Sequence, residues 1–445
     1  MLKFKHFILG FLVVLIISVT LGLIVNNGYL ADVMPQIYNT GSMDGLANSS
    51  WPMDQHDKQH TNRADVKGSQ TNNTKWTFYL GKWIASPPSI GADGTIYILA
   101  SKNASINDNV SEADLFDNNV TNDTFDTIPD GYFLYAINPN GTLKWQTNNT
   151  LSCLHDARAP LISRDGTIYI QGLHSIYALD QNGSIKWEYK VSDIAGPLNI
   201  ASDGTLYFTN LGSLYALNPD GSLKWETNKI DFDLSGSPTV GSDGTIYVFH
   251  QKLDSLALYA INPDGSIKWK SATGNMGETA SPASIGSDGT IYFTSDAFSG
   301  SGGYYLSALT PGGKEKSQPF SSDNTLIHGP EDYSDYFAPS IGLNGKIYVS
   351  TFSDVAGYVY ILNPDLSKNK KFTTENEKII SSQILLDSDG VLYFVSDSIN
   401  AFYPNGTQKW QYSINNSGAQ GYIAIGSDGT IYGSTETSQY LYAIK

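Results

Sequence analysis

Two histidines, His56 and His60, lie four positions apart in the stretch WPMDQHDKQHTNRAD, residues 51–65. On a helix this spacing would put both rings on one face, where they could ligate zinc. No glutamate follows the first histidine as the HExxH signature requires, and the stretch has no helical apolar face. We therefore expect it to pack across the fold as a structural lead-in, with a zinc site as the alternative.

Residues 102–130 hold seven acidic side chains and few apolar ones. Clustered carboxylates can bind calcium, but the EF-hand spacing of Asp-x-Asp-x-Asp-Gly with a distal Glu is missing. Four Asn-x-Ser/Thr sequons lie in the same stretch, so we interpret it as a solvated, glycan-bearing loop, with calcium binding as the alternative. The possible N-glycosylation sites of the chain are Asn48, Asn72, Asn103, Asn109, Asn119, Asn122, Asn148 and Asn415.

Composition excludes several functional classes. The net charge of -16 and the pI near 4.7 leave no basic surface for nucleic acid. The single cysteine, Cys153, excludes an intrachain disulfide, and no GxSxG motif for a serine nucleophile is present. No catalytic residue can be assigned from motifs.

Most of the chain repeats one unit, which is clearest at residues 236–269, GSPTVGSDGTIYVFHQKLDSLALYAINPDGSIKW. Runs rich in β-branched and aromatic residues, bounded by turn residues, predict four strands at 237–241, 245–249, 258–262 and 266–269. Asp-Gly suits the tight turns because both residues tolerate positive φ. The unit is therefore predicted to be an antiparallel four-stranded meander.

This unit recurs about every forty residues, as four short strands with their loops require. Its first turn appears at Asp93, Asp165, Asp203, Asp243, Asp288, Asn344, Asp389 and Asp428. Eight meanders arranged in a ring form an all-β, eight-bladed β-propeller, which is the fold we predict.

The pattern SPxxxxDGTIY followed by LYALNPDGSLKW resembles the repeat of the pyrroloquinoline-quinone-type propellers, over residues 74–445. That family includes quinoprotein dehydrogenases, in which bound quinone and calcium oxidise an alcohol or sugar with an Asp base. It also includes cofactor-free outer-membrane assembly lipoproteins. The resemblance implies adjacent cysteines beside the quinone in its alcohol dehydrogenases, and this chain has only Cys153.

The last unit ends after its third strand, LYAIK at residues 441–445, without the usual KW strand. The missing strand occurs at residues 74–78, TKWTF, so we expect the N-terminal strand to complete the C-terminal blade. The predicted organisation is a cytoplasmic stub and transmembrane segment at 1–26, a polar lead-in at 27–73 and the propeller at 74–445.

Residues 7–25 are an unbroken run of apolar or small uncharged residues preceded by two lysines. Nineteen residues at about 1.5 Å each approach the roughly 30 Å hydrocarbon core of a bilayer. The lysines predict a cytoplasmic N-terminus and an extracytoplasmic propeller in the cell membrane. We favour an uncleaved signal anchor, and the alternative is a cleaved signal peptide, which also exports the domain.

Connections between the first and second and between the third and fourth strands emerge on one face, called here the turn face. The long insertions at 102–130, 250–257, 297–303 and 318–336 belong to the opposite face, the loop face, and make it the candidate binding surface. Large residues that depart from the small residues expected around its centre are Trp83, Arg158, His328, Glu331, Tyr333, Tyr336 and Phe337. They could offer aromatic platforms and a cation to a glycan or peptide, or simply cover the core.

Two hypotheses for the function are consistent with the sequence. The favoured one is a non-catalytic, membrane-tethered binding or scaffold module for a protein, glycan or envelope component, without cofactor or metal. The alternative is a quinoprotein dehydrogenase that uses pyrroloquinoline quinone and calcium. One fold hosts both, so fold alone cannot decide.

Overall fold

The chain divides into two units, Met1–Thr40 and Gly41–Lys445. The computed structural model describes only residues of the second unit. These are residues 45–81, 84–101, 132–148, 151, 158–172, 174–192, 196–227, 234–252, 255–272, 276–297, 304–316, 337–351, 357–373, 380, 382–414, 420–435 and 438–445.

The described residues form eight four-stranded sheets. A first strand, β1 (Thr74–Tyr79), precedes the first complete blade. Blades 1 to 3 contain β2 (Ser89–Ile90), β3 (Ile96–Ser101), β4 (Tyr132–Ile137), β5 (Leu143–Gln146), β6 (Leu161–Ile162), β7 (Ile168–Gln171), β8 (Ser175–Leu179), β9 (Ile185–Lys190), β10 (Asn199–Ile200), β11 (Leu206–Asn210), β12 (Ser213–Leu217) and β13 (Leu223–Glu226).

The remaining blades follow the same order except blade 5, in which β18 and β19 both pair with β20 and β21 pairs with β20 as well. Blades 4 to 6 contain β14 (Leu234–Val240), β15 (Ile246–Lys252), β16 (Ser255–Ile261), β17 (Ile267–Ala272), β18 (Met276–Ala280), β19 (Ser284–Ile285), β20 (Ile291–Ala297), β21 (Tyr304–Leu309), β22 (Ser340–Ile341), β23 (Ile347–Thr351), β24 (Tyr358–Leu362) and β25 (Lys368–Thr373). Blades 7 and 8 contain β26 (Leu385–Leu386), β27 (Leu392–Val395), β28 (Ser398–Phe402), β29 (Gln408–Ser413), β30 (Gly421–Ile425), β31 (Ile431–Thr435) and β32 (Tyr440–Ile444).

The hydrophobic core is divided among the interfaces between neighbouring blades. One cluster, for example, joins Leu206 and Phe208 of blade 3 to Tyr169 and Ile176 of blade 2. The second and third strands of each blade are almost entirely buried, whereas the fourth alternates between exposed and half-buried positions. The predicted apolar strands therefore form the ring, and the KW strands form its rim.

A tryptophan on the fourth strand fastens each of several blades to the next. The ring of Trp187 lies over Gly221 in the neighbouring turn, where an added Cβ would be 2.7 Å from the indole, and φ at Gly221 is +85°. Each indole nitrogen donates to a carbonyl of the next turn at 2.8–3.0 Å. The pairs are Trp76 with Pro139, Trp145 with Gln181, Trp187 with Pro219, Trp225 with Pro263 and Trp269 with Pro311.

The lysine before this tryptophan reaches back to the first turn of its own blade. Lys144 Nζ lies 2.8 Å from Asp93 Oδ2 and 2.9 Å from Thr95 Oγ1. Partial burial would raise the pKa of Asp93, but hydrogen bonds from Lys144 and Thr95 hold it below its ordinary value. The repeated Asp-Gly-Thr and Lys-Trp motifs are thus two halves of one contact.

Ring closure occurs as predicted. β1 pairs antiparallel with β32, so the fourth strand of the last blade comes from the N-terminal part of the propeller. Trp76 on β1 then makes the indole contact with blade 1. No covalent bond is needed, because the two chain ends share a sheet.

The prediction of a loop insertion at 250–257 is wrong, because most of these residues belong to two paired strands. β15 and β16 continue pairing through Lys252 and Ser255, so the extra residues lengthen a hairpin. The stretch does not alternate strictly between apolar and polar residues, so the continued pairing is not indicated by its sequence pattern. The insertion at 102–130 lies outside the described residues, as do most of 297–303 and all of 318–336.

Deleting residues 441–445 should remove most of the folding stability. The deletion takes away Leu441 and Ile444, both fully buried, and leaves β1 without its partner. Burial of two large aliphatic side chains contributes roughly 3–6 kcal/mol, a large part of an ordinary domain's stability. Thermal unfolding followed by circular dichroism should show a lowered and broadened transition.

Lys445→Ala is the matched control. Lys445 pairs with Asp428 at an exposed site, where such pairs contribute little. Its melting temperature should stay near that of the wild type. A deletion variant that melts like this control would contradict closure by β1.

Candidate functional site

Residues 45–69, the central segment, run along the inner strands of successive blades. In six blades the last residue of the inner strand donates its backbone N–H to a carbonyl of this segment at 2.6–3.0 Å. The pairs are Ile90 with Trp51, Ile162 with Pro52, Val240 with Lys58, Ile285 with Gln59, Ile341 with Thr61 and Leu386 with Asn62. The segment therefore follows the ring in chain order from Lys58 onward.

The reason for these contacts is that the innermost strand of every blade has one edge facing the channel. Unpaired backbone groups on such an edge are costly when they are buried. Blade 3 solves the problem differently, because Asn199 accepts the N–H of Ile200 on its own side-chain oxygen at 2.7 Å. Its amide nitrogen then reaches the carbonyl of Lys58 at 3.0 Å. The stretch packs across the ring, as predicted from the sequence.

Asp57 organises the sharpest part of the central segment. Its carboxylate accepts from the backbone N–H groups of Gln59 at 3.0 Å and Thr61 at 3.2 Å, and from the Thr61 hydroxyl. Complete burial would raise the pKa of Asp57, but the hydrogen bond from His56 and the contacts with Thr61 and Arg63 hold it below its ordinary value. Asp57 is therefore an ionised turn-former inside the protein.

The two histidines make hydrogen bonds to different residues. His56 Nδ1 lies 3.0 Å from Asp57. Both nitrogens of His60 are engaged, Nε2 with Asn199 and Nδ1 with Thr239, each at 3.1 Å. Within the described ranges no group of three His, Cys, Asp or Glu side chains could hold a metal ion. Burial lowers the pKa of His60 to about 4, so its ring is neutral near pH 7.

The end of the central segment is fastened to blade 7. Asp387 Oδ2 accepts from the backbone N–H of Gly68 at 2.9 Å and from the Tyr393 hydroxyl at 3.1 Å. The indole of Trp410 donates to Ser69 O at 3.0 Å, where other blades use a neighbouring turn. The segment thus substitutes for the turn that the incomplete last blade lacks.

On the loop face, the central segment forms the floor of a cavity of about 60 Å³, here called the mouth cavity. The segment contributes Trp51, Asp54, Gln55 and Asn62. The walls come from the starts of inner strands in five blades: Pro87, Arg158, Phe337, Ser382, Gln383, Leu385 and residues 420–423. The cavity is thus mixed in character, with aromatic, amide and charged groups around one opening.

Several polar groups of the mouth cavity have no partner within the described part of the chain. Asn62 is fully buried, and neither its Oδ1 nor its Nδ2 makes a hydrogen bond there. Gln55 is 3% exposed, and its Oε1 is also unpaired. Both residues have positive φ, +54° and +58°, which for non-glycine residues marks a strained backbone held by its surroundings.

Of the seven residues proposed for the binding surface, two are described. Arg158 and Phe337 come from different blades, and the structure brings both to the wall of the mouth cavity. Trp83, His328, Glu331, Tyr333 and Tyr336 lie outside the described residues. The binding role of all seven stays a prediction.

Sequence reasoning missed the floor of the cavity. Gln55 and Asn62 lie in a stretch without any period, and only the concentration of amides and histidines there signalled unusual surroundings. Asp387 could have been found from the repeat, because the corresponding position in the other blades is Gly, Ala or Ser. A carboxylate at this position indicates that it accepts a hydrogen bond from the backbone of another segment.

Three of the candidate sequons fall on described residues. Asn48, Asn72 and Asn148 are all exposed. Asn72 Nδ2 donates to Gln411 O at 2.8 Å. Asn103, Asn109, Asn119, Asn122 and Asn415 lie outside the described residues, so glycosylation stays a prediction throughout.

Nor does the structure address the proposed anchor. Residues 7–25 are outside the described ranges, and inside those ranges no helix has the length and apolar character needed to cross a bilayer.

Solved structures share the fold at low sequence identity. A europium-containing methanol dehydrogenase aligns over 87% of this chain and 89% of its own, with 13% identity and a TM-score of 0.59. Dihydro-heme d1 dehydrogenase covers 70% of this chain and 71% of its own, with 11% identity and a TM-score of 0.48. Virginiamycin B lyase from Staphylococcus aureus covers 86% and 97%, with 14% identity and a TM-score of 0.44. No protein-family model and no curated protein matches the sequence.

The eight four-stranded sheets of the described residues define an eight-bladed β-propeller closed by its N-terminal strand. The repeat sequence and the alignment with methanol dehydrogenase identify its fold as that of the pyrroloquinoline-quinone-type propellers. At this identity the likeness concerns the fold alone.

His60 should make the fold sensitive to mild acid. The folded protein takes up a proton on His60 near pH 4, whereas the unfolded chain does so near the ordinary value of about 6.5. The unfolded state therefore binds more protons between these values, and stability falls as the pH is lowered through this window. The loss by pH 4.5 should be roughly 2–3 kcal/mol, measured by urea unfolding at several pH values.

His60→Asn should flatten this profile while lowering stability at pH 7, since asparagine tolerates the φ of +57° at this position. His174→Asn, at an exposed histidine, should keep the wild-type profile. Parallel profiles for wild type and His60→Asn would show that another group causes the acid sensitivity.

Proposed function

We propose that this protein is an extracytoplasmic binding module, tethered to the cell membrane through residues 7–25, with its N-terminus in the cytoplasm. It binds a protein, glycan or cell-envelope component on the loop face and performs no catalysis there. Attached glycans at the exposed sequons suit such a surface. The proposal needs no cofactor or metal.

The observation that carries this proposal is the mouth cavity. A scaffold that only had to close its channel would satisfy its buried polar groups internally, as native proteins generally do. Here Asn62 is fully buried, neither of its amide atoms has a partner among the described residues, and the half-buried Arg158 lines the same cavity. Convergent polar groups in a concave opening with aromatic walls are typical of a ligand site.

The quinoprotein alternative requires a site for a tricyclic quinone and calcium. Pockets for ligands of that size measure about 300–1,000 Å³, whereas the mouth cavity has about 60 Å³ because the central segment fills the space below it. The described residues also offer no cluster of three acidic or histidine side chains for the metal. The mouth cavity therefore does not fit the quinone, and the described residues supply no group of three ligands for its metal.

The full-length chain, purified in detergent, should show no saturable binding of pyrroloquinoline quinone with calcium. Titration calorimetry measures this directly, and reduction of an artificial dye with a panel of alcohols and sugars measures turnover. We expect a flat response in both. Saturable binding together with substrate-dependent dye reduction would replace the binding module by a dehydrogenase.

A photo-crosslinking amino acid at Phe337 should capture a partner on intact cells, because this half-buried side chain lies at the mouth cavity. The same amino acid at Tyr403, which is 43% exposed in a turn on the opposite face, should capture none. Equal capture at both positions, or at neither, would contradict a binding role for the loop face.

A further inference from the structure

Arg158 carries a positive charge at the mouth cavity of a strongly acidic chain. It is half-buried and makes no ion pair or hydrogen bond with any described residue. A guanidinium presents several donors in a fixed fork that matches a carboxylate in a bidentate arrangement. This side chain is therefore suited to an anionic ligand group, and a carboxylate fits it best.

The amide side chains on the floor of the cavity favour a neutral polar ligand group rather than an anionic one. Asn62 offers an unpaired donor and an unpaired acceptor, and Gln55 offers a further acceptor. A hydroxyl can donate and accept at once, so neighbouring hydroxyls satisfy all three atoms. The backbone at both residues is held in place, because Asn62 N–H donates to Gln55 O at 3.1 Å and Asn62 O accepts from Leu386 N–H at 2.9 Å.

The walls add an apolar surface. Trp51, Phe337 and Tyr422 line the same opening, and the Trp51 ring is held against His56 with 5.0 Å between centroids. Aromatic faces next to a few fixed polar groups provide contact area and orientation at once. A pyranose ring has a C–H face to lie on such walls and hydroxyls on its edge.

Size limits the ligand to one ring or one chain end. A volume of about 60 Å³ accommodates the centres of roughly four to six water-sized groups, at about 10–15 Å³ each. That is fewer than the non-hydrogen atoms of a hexuronate, so its carboxylate and one edge of its ring enter the cavity while the rest of the ring lies at the opening. Asp54 also lines the cavity and can accept from a sugar hydroxyl, but it would repel a second carboxylate.

Resting on the proposed binding function, we infer that the mouth cavity binds a hexuronate, free or at the end of a glycan. Its carboxylate pairs with Arg158, and its hydroxyls bind the amides of Asn62 and Gln55. A peptide C-terminus could form the same pair with Arg158 but has no hydroxyl cluster for the floor. This difference separates the two ligand classes.

The test is titration calorimetry on the full-length chain in detergent with three probes: methyl glucuronide, methyl glucoside and N-acetyl-dialanine. The glucuronide should bind at least tenfold more tightly than either of the others. Equal affinity for glucuronide and glucoside would overturn the role of Arg158. Equal affinity for glucuronide and the dipeptide would overturn the sugar and identify a carboxylate site for peptides.

Arg158→Gln should abolish the preference for glucuronide over glucoside, and Arg158→Lys should restore it only in part, since lysine keeps the charge but lacks the fork. Arg164→Gln is the matched control, because Arg164 is exposed in a turn on the opposite face. Arg158→Gln that binds glucuronide like this control would overturn the inference.

Asn62→Asp keeps the size and the tolerance of positive φ but removes the amide donor. It should weaken the binding of both sugars. Because a carboxylate at this fully buried position lowers stability, binding is measured at a temperature where circular dichroism shows the variant to be folded. If all sugars fail to bind while cross-linking from Phe337 persists, the hexuronate is wrong and the binding function stands. If neither sugar binding nor cross-linking from Phe337 is observed, the proposed binding function is wrong as well.

Discussion

The inner edges of the blades set the main constraint on this structure. In a ring of meanders the innermost strands have no neighbour on the channel side, and their buried N–H groups must find acceptors. The central segment, residues 45–69, provides those acceptors for six blades, and Asn199 provides one for a seventh. The segment is therefore part of the propeller's hydrogen-bonding system, and its irregular path follows the spacing of the edges it serves.

The propeller could be predicted because its signals are local. Asp-Gly turns, β-branched runs and the Lys-Trp ending each specify a short stretch, and their recurrence fixes the blade. Ring closure could also be predicted from the sequence. The last repeat lacks a fourth strand, and a single strand of that type precedes the first repeat. The hairpin at 250–257 was not predicted, because its residues, HQKLDSLA, lack the strict alternation that would indicate continued strands.

The candidate site was only half predictable for a physical reason. Arg158 and Phe337 stand out as large residues where crowding favours small ones, which is a property of the repeat. Gln55 and Asn62 have no repeat to depart from. Asn62 is held by Leu386 of blade 7, and Gln55 is held by Asp57 and Asn62 within the segment. Their left-handed backbone conformations are imposed by those contacts, so no local preference in the sequence could indicate them.

The order of synthesis determines when the central segment can dock onto the blades. Residues 45–69 leave the ribosome before any blade that they will cover, and Gly68 must wait for Asp387, 319 positions later in the chain. Closing so long a loop is slow compared with forming the meanders, which are local. The nascent chain therefore builds a row of blades first and seats the segment late.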